Sequence, residues 1–279
     1  MRYFIKPAID TTLGKSEYYK NWLLDMQKNY PELANKKVAD EADNRSYSEY
    51  NYGSEGIASR IKTHHFEVVL RLTKKFFHKA NVIDFGCADG IFLPSLSKYF
   101  KHVFAVDISK EFIETSQKIV DKNKLSNVEV LCNDNMPNTA VKAALGDRKY
   151  QVVYLLEVME HIGNRGTMYN DKIVFLKEVA DMIDKDGVIV ISVPKMVGLS
   201  FLLQRIGVSV LGMGKEPIST KNLLKAAFLS DTTDLENVWW SWGHMGFNHK
   251  KMEAGIRKEF NIIKRSSLLF QMLYVIQKK

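Results

Sequence analysis

Apolar residues in the middle of the chain fall into short, nearly unbroken runs at 81–85 (NVIDF), 102–106 (HVFAV), 128–132 (VEVLC), 150–156 (YQVVYLL) and 188–193 (VIVISV). Stretches with helical spacing separate them, and a helical pattern at Phe66 to Phe77 precedes the first. A parallel sheet covered on both faces requires strands of this kind joined by helical crossovers. The pattern therefore predicts a doubly wound α/β domain. After Pro194 the alternation lapses until a helical pattern near Lys250 to Glu259. Two last runs, 260–264 (FNIIK) and 268–276 (LLFQMLYVI), follow with no helix between them, which predicts an antiparallel hairpin.

Residues 1–60 are polar and Tyr-rich, and suit a cap more than a core. Within them Tyr19, Trp22, Leu23 and Met26 predict an amphipathic helix around Ser16 to Asn29 that Pro31 would stop. The domain proper is expected over 61–279, with 195–243 inserted as a lid or interfacial segment. A chain of 279 residues, 46% of them hydrophobic, is long enough for one well-buried core. Cys87 and Cys132 lie far apart, and the opening MRYFIKPAIDTTLGK lacks the charged-then-apolar pattern of a secretory signal, so a cytoplasmic, reducing setting is expected. The net charge of +8 is unevenly spread: Lys195 to Lys279 holds thirteen basic residues against six acidic ones. Such a bias suits an acidic substrate, an anionic membrane surface or nucleic acid, and equally a merely solvated face.

In a parallel sheet, ligands bind at the carboxyl ends of the strands where the strand order reverses. The first strand ends in VIDFGCADG: Asp84 closes it, Gly86 permits a tight turn near a ligand, and Gly90 lets the next helix start close to the sheet. Gly86-Cys87-Ala88-Asp89-Gly90 matches neither the glycine pattern of a dinucleotide site nor a P-loop. Acids at 84 and 89 repel phosphate but suit a cationic ligand, such as an ammonium near a sulfonium. Asp107, after the second strand, is placed to accept ribose hydroxyls, and Asp134, after the third, an adenine amine. The fourth strand ends in Leu156-Glu157. This row of acids on one rim is hard to explain as packing.

The set Asp84-x-Gly86-x-x-x-Gly90, Asp107, Asp134 and LLEVMEHI resembles the class I S-adenosylmethionine-dependent methyltransferases over about residues 62–279. The resemblance implies an α/β, Rossmann-like, seven-stranded and mostly parallel sheet with an antiparallel last strand. It implies S-adenosylmethionine as cofactor, with Asp84, Gly86, Cys87, Ala88 and Gly90 beside the methionine part, Asp107 and Ile108 at the ribose, Asp134 and Asn135 at the adenine, and Glu157 at the fourth strand end. Ala88 replaces the middle glycine of the family's usual pattern, a small intrusion that cofactor binding is expected to survive.

Methyl transfer to a hydroxyl needs alignment, shielding and a base. Glu157 and His161 are four apart, on one face if the turn is helical, and Glu157 and Glu160 are expected to raise the His161 pKa. The E-x-x-E-H-I pattern resembles the ubiquinone-biosynthesis O-methyltransferases, and GHMGFNHKKMEAGIRKEF resembles their segment before the last helix, which adds His244 as a second candidate. The expected acceptor is a small or amphiphilic molecule, methylated on a hydroxyl oxygen. The alternatives are N-methylation of a small molecule, methylation of a glycan or RNA, and a non-catalytic cofactor-binding regulator. Nucleic acid is disfavoured by the missing base-methylation motif and the lack of a long basic run. No His, Cys or Asp cluster has metal-ligand spacing, so no metal is expected.

Met196 to Met213 carries a single charge, Arg205, which approaches a membrane span in length. Its glycines and its place between core strands argue instead for an interfacial segment flanked by Lys195, Lys215, Lys221 and Lys225, for a lid, or for a dimer contact. Tyr47, Tyr50 and Tyr52 are expected on a cap that closes over the site, and Trp239, Trp240 and Trp242 near an acceptor pocket.

Overall fold

β1 (Asn81–Phe85) lies inside a seven-stranded sheet of order β3-β2-β1-β4-β5-β7-β6, built with β2 (His102–Asp107), β3 (Val128–Cys132), β4 (Val152–Leu156), β5 (Val188–Pro194), β6 (Phe260–Ser267) and β7 (Gln271–Lys278). The computed structural model describes residues 47–52, 57–134, 136–163, 166–210, 218–239 and 246–279. β1 to β5 pair in parallel, whereas β7 enters antiparallel between β5 and β6. The hairpin expected from the last two apolar runs is therefore present, with its second strand on the inside. The helix expected at 16–29 lies outside the described residues.

Alternation along the strands sorts the core into two layers. Val82, Val103, Ala105, Val152, Tyr154 and Val190 face α2 (Ile57–Thr73) and α3 (Leu93–Tyr99), meeting Phe66, Val69, Leu70 and Leu96. Ile83, Phe85, Val106, Val153, Leu155 and Ile191 face the other way, onto Phe175 and Leu176 of α6 (Met168–Ala180) and Met252 and Ile256 of α10 (His249–Glu259). The remaining crossovers are α4 (Lys110–Lys122), which buries Phe112, Thr115, Ser116, Ile119 and Val120, and α5 (Asn138–Ala144). Ser109 caps α4 by accepting from the N–H of Phe112 at 3.3 Å.

The helical pattern at 66–77 is longer than expected, since α2 begins at Ile57, crosses residue 60 and passes into a short 3₁₀ turn at Lys74–Phe76. α1 (Tyr47–Tyr52) precedes it. After β5 the lapse in rhythm corresponds to α7 (Leu199–Val210), α8 (Thr220–Leu224), a π turn at Lys225–Leu229 and α9 (Thr233–Trp239).

Tyr154 ties α2 to the sheet, its buried hydroxyl lying 2.5 Å from the hydroxyl of Thr73. Tyr154→Phe removes this bond with little change of volume. The expected cost is about 1 kcal/mol of unfolding free energy in urea titrations; no loss would show that the bond adds nothing net.

Candidate active site

The strand order reverses between β1 and β4, and those sequence-derived candidates that lie among the described residues gather at the carboxyl ends of β1 to β4. Gly86 follows β1 at φ +83°, and its N–H donates to the carbonyl of Val106 at 2.7 Å. A Cβ there would come within 2.3 Å of Val158 Cγ2, so glycine lets the exits of β1 and β4 touch. Ala88 occupies the left-handed region at φ +48°, at a cost on the order of 1 kcal/mol for an L-residue. Its N–H donates to Asp107 Oδ2 at 2.9 Å, which offsets part of that cost.

Gly90 plays a second part besides the one expected of it. A Cβ there would meet Cδ1 of Leu93, the first residue of α3, at 3.0 Å, and also Ser116 of α4 at 2.8 Å from Oγ and 3.0 Å from Cα. Gly90 thus seats the loop on α4, and Ser116 Oγ donates to the carbonyl of Ala88 at 2.9 Å. Cys87 is buried, and burial first, then Asp107 and Asp84, push its thiol up.

Around this loop the acids are held out of water. Asp84 is the penultimate residue of β1, with Phe85 closing the strand; burial, then Asp107, raise its carboxyl to about 7. Burial also raises Asp107, against hydrogen bonds from the N–H groups of Ser109 (2.9 Å) and Ala88. Asp89 is raised by burial despite Ser48, whose N–H donates to Oδ2 at 2.8 Å and whose hydroxyl donates to Oδ1. Glu157 sits at φ +57° with its carboxyl raised to about 7 by burial, while Ser192 Oγ donates to its Oε1 at 2.6 Å. A non-glycine residue in that region is a strain found at functional sites.

The turn after β4 departs from expectation in two ways. It is a 3₁₀ turn over Met159–His161 that leaves Glu157 outside, so Glu157 and His161 do not share a helical face. The His161 pKa falls, to about 4, because protein crowds the ring and because Lys172 adds a second positive charge nearby. His161 nevertheless keeps an exposed surface. Burial, with Glu157 next, drives Glu160 well up.

Asp134 and Ile108 lie on the rim beside Asp107, both exposed, Ile108 at 69%. Asn135, His244, Trp240 and Trp242 lie outside the described residues. The side chains of Tyr50 and Trp239 are likewise outside the description. The cap tyrosines that are described do reach the site. The Tyr47 ring packs edge-on to Phe112 at 5.6 Å, and burial, then Tyr47, Glu157, Asp89 and Glu160, raise the Tyr52 hydroxyl.

Several contributors escaped sequence reading. Ser48 lies 41 residues from Asp89, and no local spacing connects them. Ser192 and Lys172 did leave a signal, as polar residues within an apolar strand and on the buried stripe of α6. Asn133 is buried next to Asp134, and its Oδ1 has no hydrogen-bond partner among the described residues.

A family profile described as methyltransferase domain matches residues 57–249. Among curated proteins, the chain is similar to the ubiquinone biosynthesis O-methyltransferase of Rickettsia typhi, 30% identical over 134 residues, 47% of this chain and 52% of that protein. The protein of the same name from Rickettsia bellii is 24% identical over 195 residues, 68% of this chain and 75% of that one. The chain spans about half the length of the first curated relatives it matches. Two solved structures share the fold. An S-adenosylmethionine-dependent methyltransferase from Aquifex aeolicus superposes with TM-score 0.52 at 15% identity, covering 80% of this chain and 94% of that one. Magnesium protoporphyrin IX methyltransferase from Synechocystis, crystallised with S-adenosylhomocysteine, superposes with TM-score 0.52 at 16% identity, covering 91% and 100%.

The chain belongs to the methyltransferase-domain family, in the class I S-adenosylmethionine-dependent group. The described residues fit that cofactor: buried carboxyls suit its positive charge, Asn133 Oδ1 offers an unused acceptor, and Ile108 presents an apolar face beside Asp107.

Because Asp84 binds its proton more tightly folded than unfolded, its contribution to stability is full below pH about 4 and is lost as pH rises through about 7. Urea unfolding of the cofactor-free protein at pH 5 and pH 8 is expected to show Asp84→Asn losing less stability than wild type, by roughly 2 kcal/mol. Equal losses would mean that Asp84 is ionised throughout.

Proposed function

We propose that the protein transfers the methyl group of S-adenosylmethionine to a hydroxyl oxygen of a small amphiphilic acceptor, with His161 accepting the proton. The observation that carries this reading is His161 itself, uncharged near neutral pH and exposed on the rim that bears the acids. When bound, the cofactor supplies a methyl group on a positively charged sulfur. The buried acids of the rim face that charge, and the Asp107 carboxylate keeps acceptor capacity beyond its two backbone donors. A base as weak as His161 works best on an acidic hydroxyl such as a phenol. The names of the Rickettsia relatives support oxygen over nitrogen.

The insertion supports an amphiphilic acceptor drawn from a lipid surface. Leu199, Leu203 and Ile206 recur along one exposed face of α7. Phe228 and Leu229 are exposed on the π turn, which the Gly198 N–H joins to α7 through the carbonyl of Ala226 at 3.0 Å. Lys221 is exposed beside them, in the third of the chain where basic residues dominate. Apolar groups beside positive charge suit the interface of an anionic bilayer. No helix among the described residues is long and apolar enough to cross a membrane.

With phenolic acceptors, wild type is expected to form S-adenosylhomocysteine, and His161→Gln to lower kcat about 100-fold at unchanged cofactor affinity. Asp107→Ala is expected instead to weaken cofactor binding, read by calorimetry. Equal turnover by wild type and His161→Gln would remove His161 from the mechanism. Sedimentation with phosphatidylglycerol vesicles is expected to carry down wild type but not a Leu203→Glu, Phe228→Glu variant. Equal recovery of the two would rule out this face as the lipid contact.

A further inference from the structure

We infer that Lys172 is a positioning residue: from α6 it holds the turn that carries His161 in register with the segment opening α10, so that both walls of the acceptor side are set by one helix. The inference rests on the reading of His161 as proton acceptor. Lys172 is fully buried, a costly place for an ammonium unless its donors are used. Its Nζ donates to the carbonyl of Ile162 at 2.5 Å and lies 3.5 Å from that of Glu160, so it grips the turn on both sides of His161. On its other side Nζ stands 5.6 Å from the centre of the Phe247 ring.

Tyr169, one turn earlier on the same helix, completes the arrangement. Its hydroxyl accepts from the N–H of Asn248 at 2.9 Å, and the Asn248 side-chain amide donates to the carbonyl of Ser230, just after the π turn, at 2.8 Å. Asn248 also caps α10, accepting from the N–H of Lys250 at 3.0 Å. The fit is tight at the entry to α6, where a Cβ on Gly163 would meet Met168 Cα at 2.8 Å. An apolar residue at 172 would fill the stripe formed by Met168, Phe175, Leu176 and Val179 but would hold neither carbonyl.

Lys172 also acts on His161 through space, as a like charge. The charged groups around the pair are Glu160 from the turn, Glu157 just after β4, and Asp171 from α6. Lys172, brought down to about 8 by burial, stays mostly charged at neutral pH and opposes protonation of His161.

The test is an NMR titration of the His161 imidazole, assigned by loss of its signal in His161→Gln, in cofactor-free protein. In Lys172→Met the midpoint is expected to rise by about half a pH unit or more, and the His161 and Ile162 signals to broaden. S-adenosylhomocysteine affinity should change less than about twofold, and Lys172→Arg should restore the wild-type midpoint in part. An unchanged midpoint and line width in folded Lys172→Met would overturn the inference. Should that variant not fold, Phe247→Leu serves: broadening of the Ile162 signal supports the coupling, and an unchanged signal overturns it. Failure of methyl transfer would sink the reading of His161 but leave these resonances as they are, so the two failures are distinguishable.

Discussion

Five carboxyl groups, those of Asp84, Asp89, Asp107, Glu157 and Glu160, crowd the carboxyl rim of one sheet, and the cost of ionising them together governs the site. Burial is the largest contribution for each, and repulsion adds to it between Asp84 and Asp107, Asp89 and Asp107, and Glu157 and Glu160. Such a rim is poorly suited to phosphate and well suited to a ligand that brings positive charge. Occupancy and protonation are therefore linked: a cation beside these groups lowers their pKa values and releases protons. The surrounding structure manages the same charge, with Ser48, Ser192 and the N–H groups of Ala88 and Ser109 each donating to one of the acids.

The loop after β1 and the turn after β4 are held by different means. On the first, close approach does the positioning: Gly86 against Val158 and Gly90 against Ser116 leave no room for a side chain. On the second, side chains do it, chiefly Tyr169 and Lys172 of α6 reaching to main-chain groups. The difference suits the two tasks. A loop can be fixed by backbone packing within one unit, whereas the turn after β4, the Ser230 segment and the start of α10 are distant in sequence and need side-chain bridges.

The sheet was largely legible in the sequence because its strands are buried on both faces and so read as continuous apolar runs; β1 and β3 fell where the runs did, whereas β6 runs on to Ser267 and β7 starts only at Gln271. Asp84, Asp107 and Glu157 were legible because an acid at the end of such a run has no packing reason to be there. What stayed hidden depended on contacts distant in sequence. Ser48 reaching Asp89 is one case, and the lowered basicity of His161 is another, set by burial first and Lys172 second and opposite in sign to what the neighbouring glutamates suggested. The shape of the turn after β4 was equally hidden, since a 3₁₀ turn and an α-helical one share most of their local preferences.

The placement of β7 between β5 and β6 also constrains how the sheet can assemble. β6 pairs with β7 alone, and β5 lacks its outer neighbour until β7 arrives. The hairpin must therefore form first and dock as a unit, or β7 must add to β5 and then recruit β6. Either way, a contact spanning 87 residues, Ile189 with Ile276, closes late and carries a loop entropy that local pairing does not. Until then β5, apolar but for Ser192, is an open edge, and the speed of that last step sets how long the chain is at risk of pairing with another copy of itself.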